Sequence, residues 1–343
     1  MVDVTVRGAG IFGLSIAWAC VRQGARVRVI DPAGPGAGSS GGIVGALAPH
    51  VPENWNAKKA FQLESLLMAE SFWAGVTATG GLKAGYARTG RLQPIRDAAA
   101  LEMARTRCAG AAEHWGENAT WAVVPAEGRG WEPAAPSGWL IHDTLSARIH
   151  PRQACAALVA ALRARDVDIR AEAPDAGRVV WATGAAGLEQ LGKDLGRTVG
   201  TGIKGQAALL QHDARSAPQL FVEGLHVVPH ADGTVAIGST TEREFASPSE
   251  TDALLDPLIQ RARTALPRLA DAPVVLRWAG LRPRTRSRAP MLGPWPGRAG
   301  HYIANGGFKI GFGMAPKVAE VMARLVLEDR DEIPEGFRVE ASL

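Results

Sequence analysis

Apolar and polar positions alternate most clearly at the start of the chain, where Val2, Val4 and Val6 are spaced by polar residues and then meet a glycine. A period of two running into a glycine turn predicts a β-strand. Ile11 to Gln23 is apolar and small, with Gly24 behind it, the pattern of a helix with a glycine stop. Val27, Val29 and Ile30 predict a second strand that ends at Asp31. Together these pieces make a strand–helix–strand unit of about thirty residues, the length a right-handed parallel crossover needs.

The pattern then breaks. Pro32 to Pro52 is rich in Gly, Pro and Ser, and so long an irregular connection in a compact domain is usually functional or disordered. Helices are predicted near 58–73 and 98–115, the second among short strands between 75 and 140. His150-Pro151 puts Pro at the first position of another helix, with Ala154, Leu158, Ala161 and Leu162 on its inner face. Val179 to Thr183 reads as a buried strand entering a tight turn at Gly184. Strand-like runs follow at Ala207–Leu210, Leu225–Val228, Val235–Ile237 and Val274–Trp278, with one helix near 252–265. Tyr302–Ala304 predicts a last strand, then a glycine-rich turn, then a helix from about Pro316 to Leu327 with Val318, Val321, Met322 and Leu325 facing in.

Composition narrows the class. The 343 residues, 46% hydrophobic and 21% charged, suit two domains or one large α/β unit with an insert, and exclude wholesale disorder. A net charge of +4 is too modest to make nucleic acid the expected partner, but it leaves room for an anionic substrate. Cys20, Cys108 and Cys155 have neither metal-ligand nor CxxC spacing, so no metal site and no disulfide framework is expected. The first ten residues lack a basic then apolar leader. The longest uncharged run, Pro32 to Pro52, carries too much Gly and Pro for a membrane span. A cytoplasmic protein is expected, with its oligomeric state left open.

The pattern G-x-G-x-x-G occurs three times, and by itself it says little. Gly36, Gly38 and Gly41 have no strand before them, and Gly200, Gly202 and Gly205 precede a strand-like run instead of opening a helix. Both sets are read as structural turns. Gly8, Gly10 and Gly13 follow a strand, open a helix, and lead to Asp31 at the end of the next strand. Gly8 permits the tight turn, Gly10 lets a pyrophosphate approach the backbone, and Gly13 lets helix and strand pack closely. The helix start at Ile11 and Phe12 offers N–H groups and a positive dipole end to phosphate, and Asp31 can accept from ribose hydroxyls. NAD and FAD suit this fingerprint equally well.

Later segments favour a flavin. SSGGIVGALAP (Ser39–Pro49), VVWATG (Val179–Gly184), GIKGQ (Gly202–Gln206), VVPHADGTVAIGSTTE (Val227–Glu242), WAGLRPRTRSRAPMLGP (Trp278–Pro294) and IANGGFKIGFGMAP (Ile303–Pro316) follow the fingerprint in order. This succession resembles the FAD-dependent D-amino-acid oxidase family, in its glycine oxidase and sarcosine oxidase branch, over nearly the whole chain. The resemblance implies an α/β architecture: a doubly wound FAD-binding Rossmann-like domain with an inserted α+β antiparallel-sheet substrate domain. The expected division is 1–80, 140–202 and 285–343 for FAD, and 81–139 and 203–284 for substrate. It implies that Ser39, Ser40, Gly45, Ala46 and Leu47 lie along the pyrophosphate and flavin, and that Ala182, Thr183 and Gly184 close over the cofactor. The turn of Asn305, Gly306, Gly307, Phe308, Lys309 and Ile310 is expected to bring backbone amides to the flavin ring.

On the substrate side, Arg282 matches the position that holds a substrate carboxylate, a task suited to its planar fork. Lys309 stands where relatives carry a second cation, and His226 where glycine oxidase has a substrate-contacting Tyr. Ser287 replaces a common acidic residue. Arg282, Arg284, Arg286 and Arg288 alternate around it, and in an extended segment they would share one side and favour an acidic substrate. No Cys follows Cys155, so FAD is expected to be non-covalent. The resemblance implies oxidation of the C–N bond of a small amine or amino acid, with oxygen or a quinone as electron acceptor. Competing readings are a tRNA wobble-uridine-modifying FAD oxidase, a non-catalytic flavin-binding protein, and an NAD-dependent dehydrogenase.

Overall fold

The computed structural model describes residues 2–128 and 130–343. The chain runs β1 (Val4–Arg7), α1 (Ile11–Arg22), β2 (Val27–Ile30), β3 (Ala46–Leu47), α2 (Ala57–Gly80), β4 (Arg91–Pro94), α3 (Ala98–Trp115), β5 (Trp121–Pro125), β6 (Trp139–Asp143) and β7 (Ala147–Arg148). It continues with α4 (Pro151–Arg163), β8 (Asp168–Arg170), β9 (Arg178–Trp181), α5 (Gly184–Asp194), β10 (Gly200–Gln211), β11 (Gln219–Val222), β12 (Leu225–Pro229) and β13 (Thr234–Gly238). The last elements are α6 (Leu255–Ala265), β14 (Val274–Thr285), β15 (Met291–Pro294), β16 (His301–Asn305) and α7 (Gly311–Glu328).

Two large sheets organise these elements. A six-stranded sheet in the order β15-β16-β9-β1-β2-β8 is parallel apart from its β15 edge. Its strands have apolar residues on both faces, as parallel strands covered on two sides do. Leu292 and Tyr302 join the core built with α1, α2, α4 and α7, whereas Met291 and Ile303 join α5 on the opposite face. That is a doubly wound layer. The second sheet, β14-β10-β13-β12-β11-β4-β6-β5, is antiparallel except where β11 meets β4. One of its faces packs Ala208, Leu210, Leu220, Val227 and Ile237 against α6. The other face, carrying Ala207, Leu209, Val228 and Ala236, turns toward Ile43 on the Gly/Ser connection. Small strands β3 and β7 pair between the two sheets.

Some expectations need correcting. The last helix starts at Gly311, not at Pro316, which lies inside it. Proline there leaves the Phe312 carbonyl without its i+4 donor, yet this first turn packs against α1, where a Cβ on Gly311 would lie 3.5 Å from Ile11. Gly200, Gly202 and Gly205 form no turn and lie within strand β10. The strand holding Arg282 and Arg284 stops at Thr285, and Arg288 takes a left-handed turn at φ 60. The even spacing of the four arginines therefore puts only Arg282 and Arg284 on one strand face. Trp139–Asp143 pairs with β4 and β5 in the eight-stranded sheet.

Candidate active site

The first half of the site is built almost wholly from backbone. Gly8 has φ +99, and a Cβ there would lie 2.3 Å from the Ala182 carbonyl oxygen; at Gly13 it would lie 1.8 Å from the Gly8 oxygen. Neither position tolerates a side chain, so the β1–α1 turn and the end of β9 lie in contact. Asp31 ties the turn from the other side. One of its oxygens accepts from Ala9 N–H at 2.7 Å and the other from Ala33 N–H at 3.0 Å. A carboxylate oxygen can accept twice, so both can still take a ribose hydroxyl.

Ser40 reaches back to α1, where its Oγ accepts from Ile11 N–H at 2.9 Å and lies 3.1 Å from where a Gly10 Cβ would be. The α1 N-terminus, with Phe12 in its first turn, has no side-chain cap of its own and no acidic residue, leaving it open to an anion. Ser39 and Ser40 form a short 3₁₀ turn. Gly45 has φ +61 and fits tightly beneath Ile149, while Ala46 and Leu47 pair with Arg148 and Ala147.

The glycine turn after β16 completes this cradle. A Cβ on Gly307 would lie 3.1 Å from the Phe12 ring, so Gly307 and the α1 start are neighbours. Asn305 donates to the Gly184 carbonyl at 2.9 Å and accepts from Gly306 N–H at 2.7 Å. Its side chain links the β9 turn to the β16 turn. Thr183 packs beneath α5 against Gly187. Gly306 and Phe308 have positive φ, and Phe308 N–H donates to the Pro283 carbonyl, which fastens the turn from Asn305 to Ile310 to the end of β14.

The second half lies on the face of the eight-stranded sheet that meets the Gly/Ser connection. Cβ atoms added at Gly42 and Gly238 would touch Trp278 at 3.4 Å and Val44 at 2.6 Å. Gln219 donates to the Leu47 carbonyl, and His230 bonds the Ile43 carbonyl at 2.8 Å. Across this face, Phe221, His226, Gly238, Ala207 and Trp278 form one row of register partners.

Arg282 dominates that face. It is only 8% exposed, and its single hydrogen bond among the described residues is to the Thr240 carbonyl at 3.3 Å. Its guanidinium carries five donors and has no ion pair among the described residues. Burial lowers its pKa to about 10 against the pull of Glu242, so it remains charged at neutral pH. Room for this head comes from Gly205, whose Cβ would lie 1.5 Å from Nη1. Trp278 backs it, with Cζ 5.8 Å from the ring. Glu242 is already engaged by Lys204 at 3.6 Å, by Gln206 and by Thr240.

His226 stands nearby with Nδ1 buried and unpartnered. Burial, then the charges of Arg91, Lys309 and Arg282, push its pKa down to about 3, so the imidazole is neutral. Arg91 is paired with Asp143 at 2.9 Å and lies over Phe221. Lys309 is exposed at the rim and donates to Thr241 at 2.8 Å. Arg282, Lys309 and His226, singled out separately in the sequence, thus act on one another electrostatically. Sequence reading missed Gly205, Trp278 and Arg91. Their parts depend on strand register, which no local motif encodes.

Residues 3–325 match the sequence pattern of the DAO family, described as FAD dependent oxidoreductase. The chain belongs to this family. Among its relatives is the glycine oxidase of Pseudomonas aeruginosa, 34% identical over 125 residues that cover 36% of this chain and 34% of that one. Across the first curated relatives it matches, the chain spans from about a third to about half of their length. The fold is also that of the glycine oxidase of Geobacillus kaustophilus, with TM-score 0.84, 20% identity and 98% of both chains covered. The iminodiacetate oxidase of Chelativorans sp. BNC1 gives TM-score 0.84 and 22% identity over 98% of both chains. FAD is therefore the cofactor of this oxidoreductase, and the residues fit it: a helix start without an acidic residue or an N-cap side chain of its own, glycines with no room for a side chain, and Asp31 at the second strand. No helix among the described residues is long and apolar enough to cross a membrane.

Proposed function

We propose that this oxidoreductase oxidises the C–N bond of a small amine or amino acid, removing a hydride from the carbon beside nitrogen. The imine left behind is hydrolysed by water to an oxo compound and ammonia or an amine. FAD, when bound, supplies the electron sink for that hydride. Gly8, Gly10, Ile11, Phe12, Gly13, Asp31, Ser39 and Ser40 would hold its dinucleotide part. Gly45, Ala46, Leu47, Ala182, Thr183, Gly184 and the turn from Asn305 to Ile310 would line the rest. In this reading the six-stranded sheet and its helices are the FAD domain, and the eight-stranded sheet is the substrate domain.

The observation that carries the proposal is the Arg282 guanidinium, buried and without an anionic partner among the described residues. A buried cation is costly unless it is paired, and a substrate carboxylate received by two parallel hydrogen bonds completes it. Arg282 then fixes one end of the substrate, Gly205 leaves the room that its guanidinium occupies, and Trp278 backs that head against water. Orientation of this kind supplies much of what such a reaction asks of a protein. His226, neutral and with a free Nδ1, can face the substrate amine without adding charge.

No Cys follows Cys155, and Cys108 lies on α3 with its thiol donating to the Ala104 carbonyl. Burial pushes the Cys20 and Cys155 thiols up to about 12, so neither of these two is a thiolate available to bond a flavin. We infer non-covalent attachment, and denaturation should release all of the flavin. The decisive experiment follows the visible spectrum of the holoprotein anaerobically while glycine, sarcosine and D-amino acids are added in turn. Bleaching is expected, and readmitted air then distinguishes oxygen from a quinone as acceptor. A yellow protein that no amine bleaches sinks the proposal.

A further inference from the structure

We propose that the substrate is an amino or imino dicarboxylate, with one carboxylate on Arg282 and the second held at the rim by Lys309, with Arg284 behind it. This rests on the amine-oxidation reading above and names the substrate class of that site.

The inner cations of the eight-stranded sheet are mostly matched. Arg91 pairs with Asp143 at 2.9 Å, and Lys204 pairs with Asp252 at 2.7 Å and Glu242 at 3.6 Å. Three cations that meet near the glycine turn are different. Arg282, Arg284 and Lys309 have no carboxylate partner among the described residues. Lys309 Nζ lies 5.8 Å from the centre of the Phe308 ring and Arg284 Cζ lies 5.9 Å from it, so one aromatic side chain carries both heads. Arg282 and Arg284 share a face of β14, two residues apart.

Depth separates the two binding points. Arg282 bonds the Thr240 carbonyl and is buried, whereas Lys309 bonds Thr241 Oγ1 and is exposed. Adjacent residues thus anchor an inner and an outer cation. A single carboxylate on Arg282 satisfies the inner one and leaves the outer pair unmatched. A second carboxylate on the same molecule, pointing outward, meets both. The imidazole of His226 is neutral, and Glu242, although it pulls on Arg282, makes no ion pair with it and is engaged by Lys204, Gln206 and Thr240.

The test uses the FAD-loaded full chain and compares unreactive ligands by calorimetry, acetate and methylated acetate analogues against malonate and succinate. A dicarboxylate should bind about tenfold more tightly than a monocarboxylate, an advantage that shrinks as salt is raised. Lys309→Met and Arg284→Gln should each reduce that ratio toward one, and Lys309→Arg should restore it. Equal binding of the two classes, or a Lys309→Met loss that falls equally on both, overturns the proposal. Anaerobic bleaching separates it from the reading beneath it. If glycine and sarcosine bleach the flavin but iminodiacetate and aspartate do not, amine oxidation stands and the dicarboxylate proposal fails. If dicarboxylates bind preferentially while no amine bleaches, the anion site stands and the oxidation reading fails.

Discussion

The cofactor cradle and the substrate face solve recognition in opposite ways. The cradle uses backbone: Gly8 and Gly13 leave no room for a side chain, and Asp31, Ser40 and Asn305 each take backbone N–H groups that fix the loops. The substrate face uses side chains held short of partners, with Arg282 buried and unpaired and His226 Nδ1 unbonded. A cradle of this kind is rigid before anything binds, whereas the opposite face keeps binding capacity unspent. Steric changes should therefore act first on the cradle, and charge changes on the face.

The sharpest way to break the first region is Gly13→Val. Its Cβ would meet the Gly8 oxygen at 1.8 Å, where backbone cannot yield. The variant should purify without flavin or fail to fold, at a cost above about 4 kcal/mol. Flavin-to-protein ratio and thermal midpoint read this directly. A variant with full flavin content would show that the turn is looser than its geometry.

This contrast also explains what was legible in advance. The cradle's first part is local: strand, glycine turn, helix and acidic strand end fall within residues 4–31, and each leaves a mark in periodicity or glycine spacing. The substrate face is assembled from β4, β10, β11, β12, β13 and β14, and its logic is cross-strand. Gly205 looked like a turn because its glycine spacing was visible, while its diagonal neighbour Arg282 on β14 was not. Arg286 and Arg288 looked like partners of Arg282 because sequence spacing says nothing of where a strand stops. Arg282 itself was found only because flanking residues resemble a known family. The helix at Gly311 was missed in its first turn, since Pro316 is a stronger local signal than the packing of Gly311 against Ile11.

Two substitutions sharpen the comparison on the other side. Arg282→Ala removes charge-assisted bonds to the substrate carboxylate, worth about 3 kcal/mol, so KM should rise about a hundredfold with flavin content unchanged. An unaltered KM would remove Arg282 from the role. Gly205→Ala is gentler, because its Cβ meets the far end of a flexible side chain. The guanidinium must move while its charge stays, so KM should rise about tenfold with little change in thermal midpoint. A drop in midpoint as large as that of a core defect would mean Gly205 serves the strand and not the arginine.

The smallest effect concerns acid. His226 is held at about 3 and His230, buried against Ile43, at about 4, both far below the ordinary 6.5. Below pH 6.5 the unfolded chain takes up protons that these two folded imidazoles refuse. Stability is therefore fully present above that pH and declines as pH falls toward the folded values. At pH 5 each contributes a loss of about 2 kcal/mol. His226→Asn should remove about half of the combined fall in unfolding free energy between pH 7 and pH 5, measured by denaturant titration at each pH, and the His230 share should persist. An identical slope in wild type and variant would show that His226 titrates normally, and that the cations around it are screened by water. Since the folded imidazole stays neutral across this range, kcat/KM should show no inflection from His226 between pH 5 and pH 8, and one near 6.5 that vanishes in the variant would place a protonating group in the substrate site.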